Sequence, residues 1–467
     1  MDATDSSHGS IPASIFRAYD IRGIYGRTLN PRIAWRLGQS IGSEARERGV
    51  DRVVVGRDGR DSSPELAGAV TAGLNAAGCD ALCIGEVPTP VMYFATHFLE
   101  TGSGVMVTGS HNPPEYNGMK IMLAEETLSG DAIAALGRRI DEGRLFEGTG
   151  GRQDYDVVDA YIERIISDVV LERPLKVVLD AGSGVAGSVA PELFHDLGCE
   201  VEELYCEVDG AFPYHHPDPA DADNLQDLIE RVRTSGADVG LAFDGDGDRL
   251  GVVDSAGRII WPDRQLMLFA RDVLQRVPGA PVIFDVKCSQ HLAREIERAG
   301  GQPVMGRTGH SLIKAELRRT GAPLAGEMSG HVFFKERWYG FDDALYAGAR
   351  LVEILARDER DSAAVFAALP EGVSTPELKV PVNEGEQQAL VEELVDAGKR
   401  RFTDATVHTI DGIRVEWADG WGLVRASNTT PMLIVRFEAD DEAALERIRE
   451  TFQDLLDGVR PGLTIPR

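Results

Sequence analysis

The chain has 467 residues, 43% of them apolar and 27% charged, and a formal net charge of −28. That length provides for three or four domains of ordinary size. The acidic excess argues against nucleic-acid and anionic-membrane partners, and no apolar run approaches a membrane span. The stretch Met1-Asp-Ala-Thr-Asp-Ser-Ser-His8 has neither the basic start nor the apolar core of a signal peptide, so it reads as a polar arm. Cys79, Cys83, Cys199, Cys206 and Cys288 are odd in number and form no Cys-x-x-Cys. They read as buried free thiols in a reducing, cytoplasmic compartment.

From the N-terminus onward one unit recurs: an apolar strand, a glycine-bearing loop, then an amphipathic helix. The strand Arg52–Gly56 is followed by a helix from Pro64 to Ala77, ended by Gly78. The strands Ala81–Gly85 and Val105–Val107 come next. Such alternation predicts an α/β fold in which ligands gather beyond the carboxyl ends of strands. The loops after the strands therefore carry the search for chemistry.

After Val107 the chain runs Thr108-Gly-Ser-His-Asn-Pro113. Ser110 is displayed beside His111 in a turn that Pro113-Pro114 keeps from continuing. A serine in such a loop commonly just bonds its own backbone. It is not a hydrolase elbow, because Thr108 and Asn112 stand where glycines are needed.

Lys176–Asp180 opens a second series of strands, followed by Gly182-Ser-Gly184-Val-Ala-Gly187. This formal G-x-G-x-x-G admits an NAD-dependent dehydrogenase as an alternative, against the plainer reading of a tight strand–helix turn. The strand Asp238–Phe243 leads into Asp244-Gly-Asp-Gly-Asp248-Arg249. Three carboxylates at alternate positions repel unless a cation sits among them, and the glycines let the backbone curl so that they converge. An all-oxygen set suits Mg²⁺. A calcium EF-hand fails, because Arg249 and Ser255 occupy its obligatory glycine and bidentate-acid positions.

A third series opens with Pro281–Asp285 and includes Pro323–Ala325, which leads into Gly326-Glu-Met-Ser-Gly-His331. A carboxylate, a hydroxyl and an imidazole this close suit adjacent sugar hydroxyls, although a polar turn explains them equally well in isolation. From about residue 374 the pattern becomes antiparallel-capable: strands 406–410, 413–417 and 431–437, and helices near 384–401 and 441–456. The last helix pairs Glu446 with Arg449 and ends near Gly458. This is a smaller α+β domain. Within it Arg425-Ala-Ser-Asn-Thr-Thr-Pro431 gathers a guanidinium, hydroxyls and backbone N–H groups into an anion nest suited to phosphate. Boundaries are expected near 153, 257 and 372, giving domains 1–153, 154–257, 258–371 and 372–467, each with one of the four loops.

A nucleophile, a metal cage, a sugar reader and a phosphate nest together read as phosphoryl transfer to or from a sugar. Here the chain resembles the α-D-phosphohexomutases over essentially its whole length. The resemblance rests on Tyr19-Asp-Ile-Arg-Gly23, Thr108–Pro113, Asp244–Arg249, Gly326–His331 and Arg425–Pro431. The stretches Phe212–Pro219 and Val332-Phe-Phe-Lys-Glu-Arg-Trp338 look like the bacterial phosphomannomutase/phosphoglucomutase branch.

The resemblance implies three topologically similar mixed-sheet α/β domains plus a C-terminal α+β domain around a central cleft. It implies interconversion of hexose 1- and 6-phosphates through phospho-Ser110 and a 1,6-bisphosphate, with Mg²⁺ as cofactor and glucose 1,6-bisphosphate or an equivalent as activator. Asp244, Asp246 and Asp248 would hold the metal with a Ser110 phosphate oxygen. Glu327 and Ser329 would grip sugar hydroxyls. Arg425, Ser427, Asn428 and Thr429 would bind the non-reacting phosphate. Tyr19, Lys287, His310 and His331 would line the cleft. Arg22 and Lys120 are expected near the reacting oxygen, and His111 and Arg249 would help neutralise charge. The proton of the attacking hydroxyl would pass to Lys120, if a crowded cationic site lowers its pKa, or to His331. The partners expected are sugar phosphates alone, with no nucleic acid or membrane. A monomer is expected, with a dimer as the alternative. A sugar phosphatase built on the same phosphoserine and a non-catalytic sugar-phosphate binder are the remaining alternative functions.

Overall fold

The computed structural model describes residues 11–427 and 430–466. It divides into two compact units: Met1–Leu250 with Asp343–Ala349, and Gly251–Asp342 with Arg350–Arg467. The strand Leu250–Asp254 and the helix Ala344–Arg357 are each divided by that boundary. The polar arm expected at the N-terminus lies outside the described residues.

In the first unit, a seven-stranded sheet runs in the order Ile21–Ile24, Tyr116–Leu123, Gly104–Val107, Arg52–Arg57, Asp80–Glu86, Arg152–Asp154, with Glu126–Thr127 paired beside Tyr116–Leu123. The three middle strands, Gly104–Val107, Arg52–Arg57 and Asp80–Glu86, are parallel. Tyr116–Leu123 is antiparallel to both of its neighbours on the main path. Val53, Val55, Val105 and Val107 are buried against Leu37, Ile41, Leu66, Val70 and Leu74 of the helices Pro31–Glu47 and Ser63–Ala76. Full burial of one such side chain contributes about 1.5–3 kcal/mol. Asn30 caps the first of these helices, its side chain accepting from the Ile33 amide at 3.0 Å. A second parallel set in this unit runs Val239–Phe243, Lys176–Asp180, Glu200–Leu204.

In the second unit, the strands Gln302–Gly306, Pro281–Asp285 and Leu324–Gly326 are again parallel, and Val332–Phe334 is antiparallel to the last. The three parallel sets thus share one arrangement: the first strand in the centre, the second on one side and the third on the other. The third strand ends in each case at a loop singled out above: Thr108–Pro113 after Val107, Asp244–Arg249 after Phe243, and Glu327–His331 after Gly326.

The C-terminal sheet is antiparallel, in the order Val373–Ser374, Met432–Ala439, Gly420–Ala426, Ile413–Trp417, Thr406–His408. Leu378–Pro381 also pairs with Met432–Ala439. Its core is closed by the helices Gln387–Arg401 and Glu442–Val459. The first begins after Gly385, whose φ of +84° is unhelical, and so starts later than expected; the second runs past Gly458. Glu446 and Arg449 lie 3.9 Å apart on it. All five cysteines are buried and free. Among the described residues no helix is long and apolar enough to cross a membrane.

Candidate active site

The Ser110 loop and the three-aspartate loop meet within the first unit. Ser110 is buried and adopts φ +49°, a left-handed conformation costing a side-chain-bearing residue on the order of 1 kcal/mol. Its amide is tied to Thr108 Oγ1 at 2.8 Å. Its hydroxyl donates to Asp244 Oδ2 at 3.1 Å and lies 3.2 Å from His111 Nδ1. Gly245 allows this approach, since a Cβ there would lie 2.4 Å from the Ser110 carbonyl oxygen.

Asp244, Asp246 and Asp248 are fully buried, and one carboxylate oxygen from each lies within 4.8 Å of the others. Asp244 Oδ1 accepts the amides of Asp248 and Arg249 at 3.0 and 3.1 Å. Asp246 Oδ2 accepts Lys120 Nζ at 2.6 Å and the Thr89 hydroxyl. Lys120 Nζ also bonds Asp248 Oδ2. Asp246 Oδ1 is buried and accepts no hydrogen bond among the described residues. Three buried carboxylates this close together fit a divalent cation such as Mg²⁺.

The electrostatics follow from this crowding. Burial, with Asp248 and Asp246 nearby, pushes Asp244 well above the usual carboxylate range. Burial pushes Asp246 the same way, but Lys120 and the hydrogen bonds from Lys120 and Thr89 outweigh it, leaving this carboxyl below the usual range. Burial, then Arg249, Arg22 and Lys120, hold His111 well below the ordinary imidazole value. It is therefore a neutral hydrogen-bonding partner for Ser110 rather than a cation. Arg249 lies 3.8 Å from Asp218. Arg22, on the strand Ile21–Ile24, bonds Asn112 Oδ1 and Asp20, so it lies against the Ser110 loop. Tyr19 is half-buried in the bend just before that strand.

Lys120, on the strand Tyr116–Leu123, reaches into this cluster. Its bonded partners include the carboxylates of Asp246 and Asp248. In this arrangement Lys120 Nζ is a hydrogen-bond donor to two members of the three-aspartate loop.

The second unit holds the other two loops. Glu327 is buried, and its Oε1 accepts the Gly309 amide at 2.5 Å. Burial pushes its pKa up to about 7, opposed by His331 and reinforced by Asp285. Ser329 is half-buried in the same turn. His310 and His331 stack with ring centroids 5.4 Å apart, and both place Nδ1 3.2 Å from Asp342 Oδ2. Lys314 Nζ bonds Asp342 Oδ1 at 2.8 Å. Lys287 Nζ bonds Glu377 at 2.5 Å and lies 4.0 Å from Asp285.

Arg425 is the penultimate residue of the strand Gly420–Ala426, which pairs antiparallel with Met432–Ala439. Its Nε donates to Asp411 Oδ2 at 3.0 Å, and its buried Nη2 makes no hydrogen bond among the described residues. Asp411 Oδ2 also accepts the Thr308 amide at 3.1 Å. The Ser427 and Thr430 hydroxyls lie 2.9 Å apart. Asn428 and Thr429 lie outside the described residues.

Sequence reasoning missed Asp58, Arg60, Thr89, Asp342 and Asp411. Asp58 and Arg60 follow the strand Arg52–Arg57 directly, so the search of strand ends applied there too. The glycine-rich turn at 182–187 is engaged by protein. Val185 N donates to Gly245 O at 3.2 Å, and His215 Nε2, 3.0 Å from both Asp180 oxygens, closes over Gly182.

Comparison with known proteins covers nearly the whole chain. Profiles described as phosphoglucomutase/phosphomannomutase α/β/α domains I, II and III match residues 13–145, 159–257 and 261–372, and the family's C-terminal domain matches 377–455. The chain is 55% identical over 458 residues to a phosphomannomutase/phosphoglucomutase of Pseudomonas aeruginosa, covering 98% of each. It is 52% identical over 452 residues to a phosphoglucomutase of Neisseria gonorrhoeae, covering 96% of this chain and 98% of the relative. The crystal structure of a phosphoglucomutase/phosphomannomutase family protein from Burkholderia thailandensis superimposes with a TM-score of 0.93 at 54% identity, covering 98% of this chain and 100% of that one.

Proposed function

The chain belongs to the phosphoglucomutase/phosphomannomutase family, and from that premise we infer that it interconverts the 1- and 6-phosphates of glucose and mannose through a phosphorylated Ser110. The observation that carries this reading is the Ser110 hydroxyl, 3.1 Å from Asp244 Oδ2 at the edge of three buried, mutually close carboxylates. A phosphate ester there adds about −1.5 to −2 charge, so the position suits a group that is handed on rather than kept.

Asp244, Asp246 and Asp248 would hold Mg²⁺, which when bound neutralises charge on the phosphoryl group. In the first half-reaction the P–O bond to Ser110 Oγ breaks as the free sugar hydroxyl attacks, giving a 1,6-bisphosphate. In the second, Ser110 Oγ attacks the other phosphate, so the serine is phosphorylated again and the isomeric monophosphate departs. Lys120, Arg22 and Arg249 supply positive charge, and neutral His111 orients the Ser110 hydroxyl. Phosphoryl transfer asks chiefly for such alignment and charge balance.

Lys120 or His331 takes the proton of the attacking hydroxyl. Asp342 Oδ2 lies 3.2 Å from the Nδ1 of His331. Glu327 and Ser329, with Tyr19, Lys287 and His310, read the sugar. Arg425, Ser427, Asn428 and Thr429 take the phosphate that is not transferred. Glucose 1,6-bisphosphate would prime Ser110. We place the domain boundaries near 153, 257 and 372. We also place the enzyme in the cytoplasm as a monomer, a compartment supported by its five buried thiols.

Intact mass tests the reading. Incubation with glucose 1,6-bisphosphate should add one phosphoryl group to the protein and none to Ser110→Ala, which should lose at least about 10⁴-fold in turnover. Mass uptake in Ser110→Ala would overturn it. Inorganic phosphate accumulating as total sugar phosphate falls would make the protein a phosphatase instead.

A further inference from the structure

Arg60 is almost fully buried, at 1% exposure, and its guanidinium lies inside the curve of the Ser110 loop. Nη2 donates to the carbonyls of Ser110 and Asn112, both at 2.6 Å. Nη1 donates to the carbonyls of Pro113 and Tyr116, at 2.7 and 3.1 Å. Nε donates to Asp58 Oδ2 at 3.1 Å, and the same oxygen accepts the Gly109 amide at 3.1 Å. The ring of Phe212 covers the guanidinium, 5.0 Å from its centroid to Cζ. Gly109 makes the fit possible, because a Cβ there would lie 2.5 Å from Arg60 Cζ.

Four backbone carbonyls turned towards one point repel each other. Only a planar fork of five N–H donors can satisfy them all and still bond a carboxylate; an ammonium has three donors and no plane. The clamp spans both sides of Ser110, from the Gly109 amide to the Tyr116 carbonyl, and so fixes the strained backbone that aims Oγ at Asp244.

We propose that Arg60, held by Asp58, is the positioning residue that sets the Ser110 loop for phosphoryl transfer. The proposal rests on the phosphoserine reading above. Arg60 is too buried to touch the sugar, so its loss should lower the rate of transfer without weakening sugar-phosphate binding.

The test uses the full-length protein as Arg60→Ala and Arg60→Lys. Ser110 phosphorylation by glucose 1,6-bisphosphate is followed by intact mass, beside kcat and KM for glucose 1-phosphate. Phosphorylation should slow at least about 100-fold in both variants, with KM within about threefold of wild type. Methylguanidinium should restore Arg60→Ala, whereas methylammonium should not. If Arg60→Ala does not fold, Arg60→Lys, which keeps a cation beside Asp58, carries the test. Wild-type labelling rates in folded Arg60→Lys would overturn the proposal, as would a slowed rate matched by an equal rise in KM. A wild-type protein that takes up no phosphate would instead overturn the phosphoserine reading.

Discussion

Two acid-rich regions of the molecule handle charge in opposite ways. At 244–248 three buried carboxylates crowd together and Lys120 neutralises only part of their charge, joining Asp246 and Asp248. Around Glu327 the charge is dispersed: Asp342 serves two imidazoles and Lys314, Lys287 is paired with Glu377, and Glu327 itself is pushed towards neutrality, to about 7. The first arrangement suits a divalent cation and a transferable phosphoryl group. The second suits hydroxyls, which a carboxyl near its pKa can meet as donor or acceptor. The sign and density of charge, rather than the number of acids, separate the two roles.

The sharpest way to break that contrast is to remove one charge from the first region. Asp246→Asn keeps the shape but removes one of the two carboxylates bonded to Lys120 and one negative charge from the candidate metal site. Turnover should fall about 10³-fold, and Mg²⁺ titrated calorimetrically should bind at least about 100-fold more weakly. Glu327→Gln should leave that Mg²⁺ titration unchanged. Equal losses of Mg²⁺ affinity in the two variants would erase the distinction.

Glu327→Gln sharpens the comparison from the other side. A carboxyl raised from 4.5 to about 7 binds its proton more tightly folded than unfolded. The folded state therefore loses relative stability as pH rises from about 4.5 to about 7, by up to about 3 kcal/mol. Denaturant midpoints measured across that window should show wild type weakening relative to Glu327→Gln, with no further divergence above it. Parallel curves would mean that the carboxyl is ionised throughout.

How far the sequence disclosed this site depends on whether a residue acts where it stands or through a distant partner. Ser110, Asp244, Asp246, Asp248 and Glu327 sit directly after apolar strands, so periodicity and turn chemistry located them. Arg60 acts on carbonyls more than 50 residues away and Asp342 on His310 and His331, and no local pattern announces such pairings. The same limit explains the misleading G-x-G-x-x-G. Its motif is intact, but an amide of its turn is bonded to Gly245 instead of facing a ligand.

The smallest expected effect concerns Arg425. Asp411 fixes its Nε, while the buried Nη2 makes no hydrogen bond among the described residues. A buried guanidinium N–H without an acceptor carries a desolvation cost, which a phosphate oxygen would relieve. Arg425→Lys keeps the charge but loses the planar, two-pronged contact. KM for glucose 1-phosphate and for mannose 1-phosphate should each rise about tenfold, or 1.4 kcal/mol, with kcat within about twofold. An effect of that form means that the contact is equally strong in the ground and transition states, as expected of a group that holds the phosphate not being transferred. A fall in kcat at unchanged KM would place Arg425 with Lys120 among the groups that act on the moving phosphoryl, and the division between a region that transfers and a region that holds would fail at that residue.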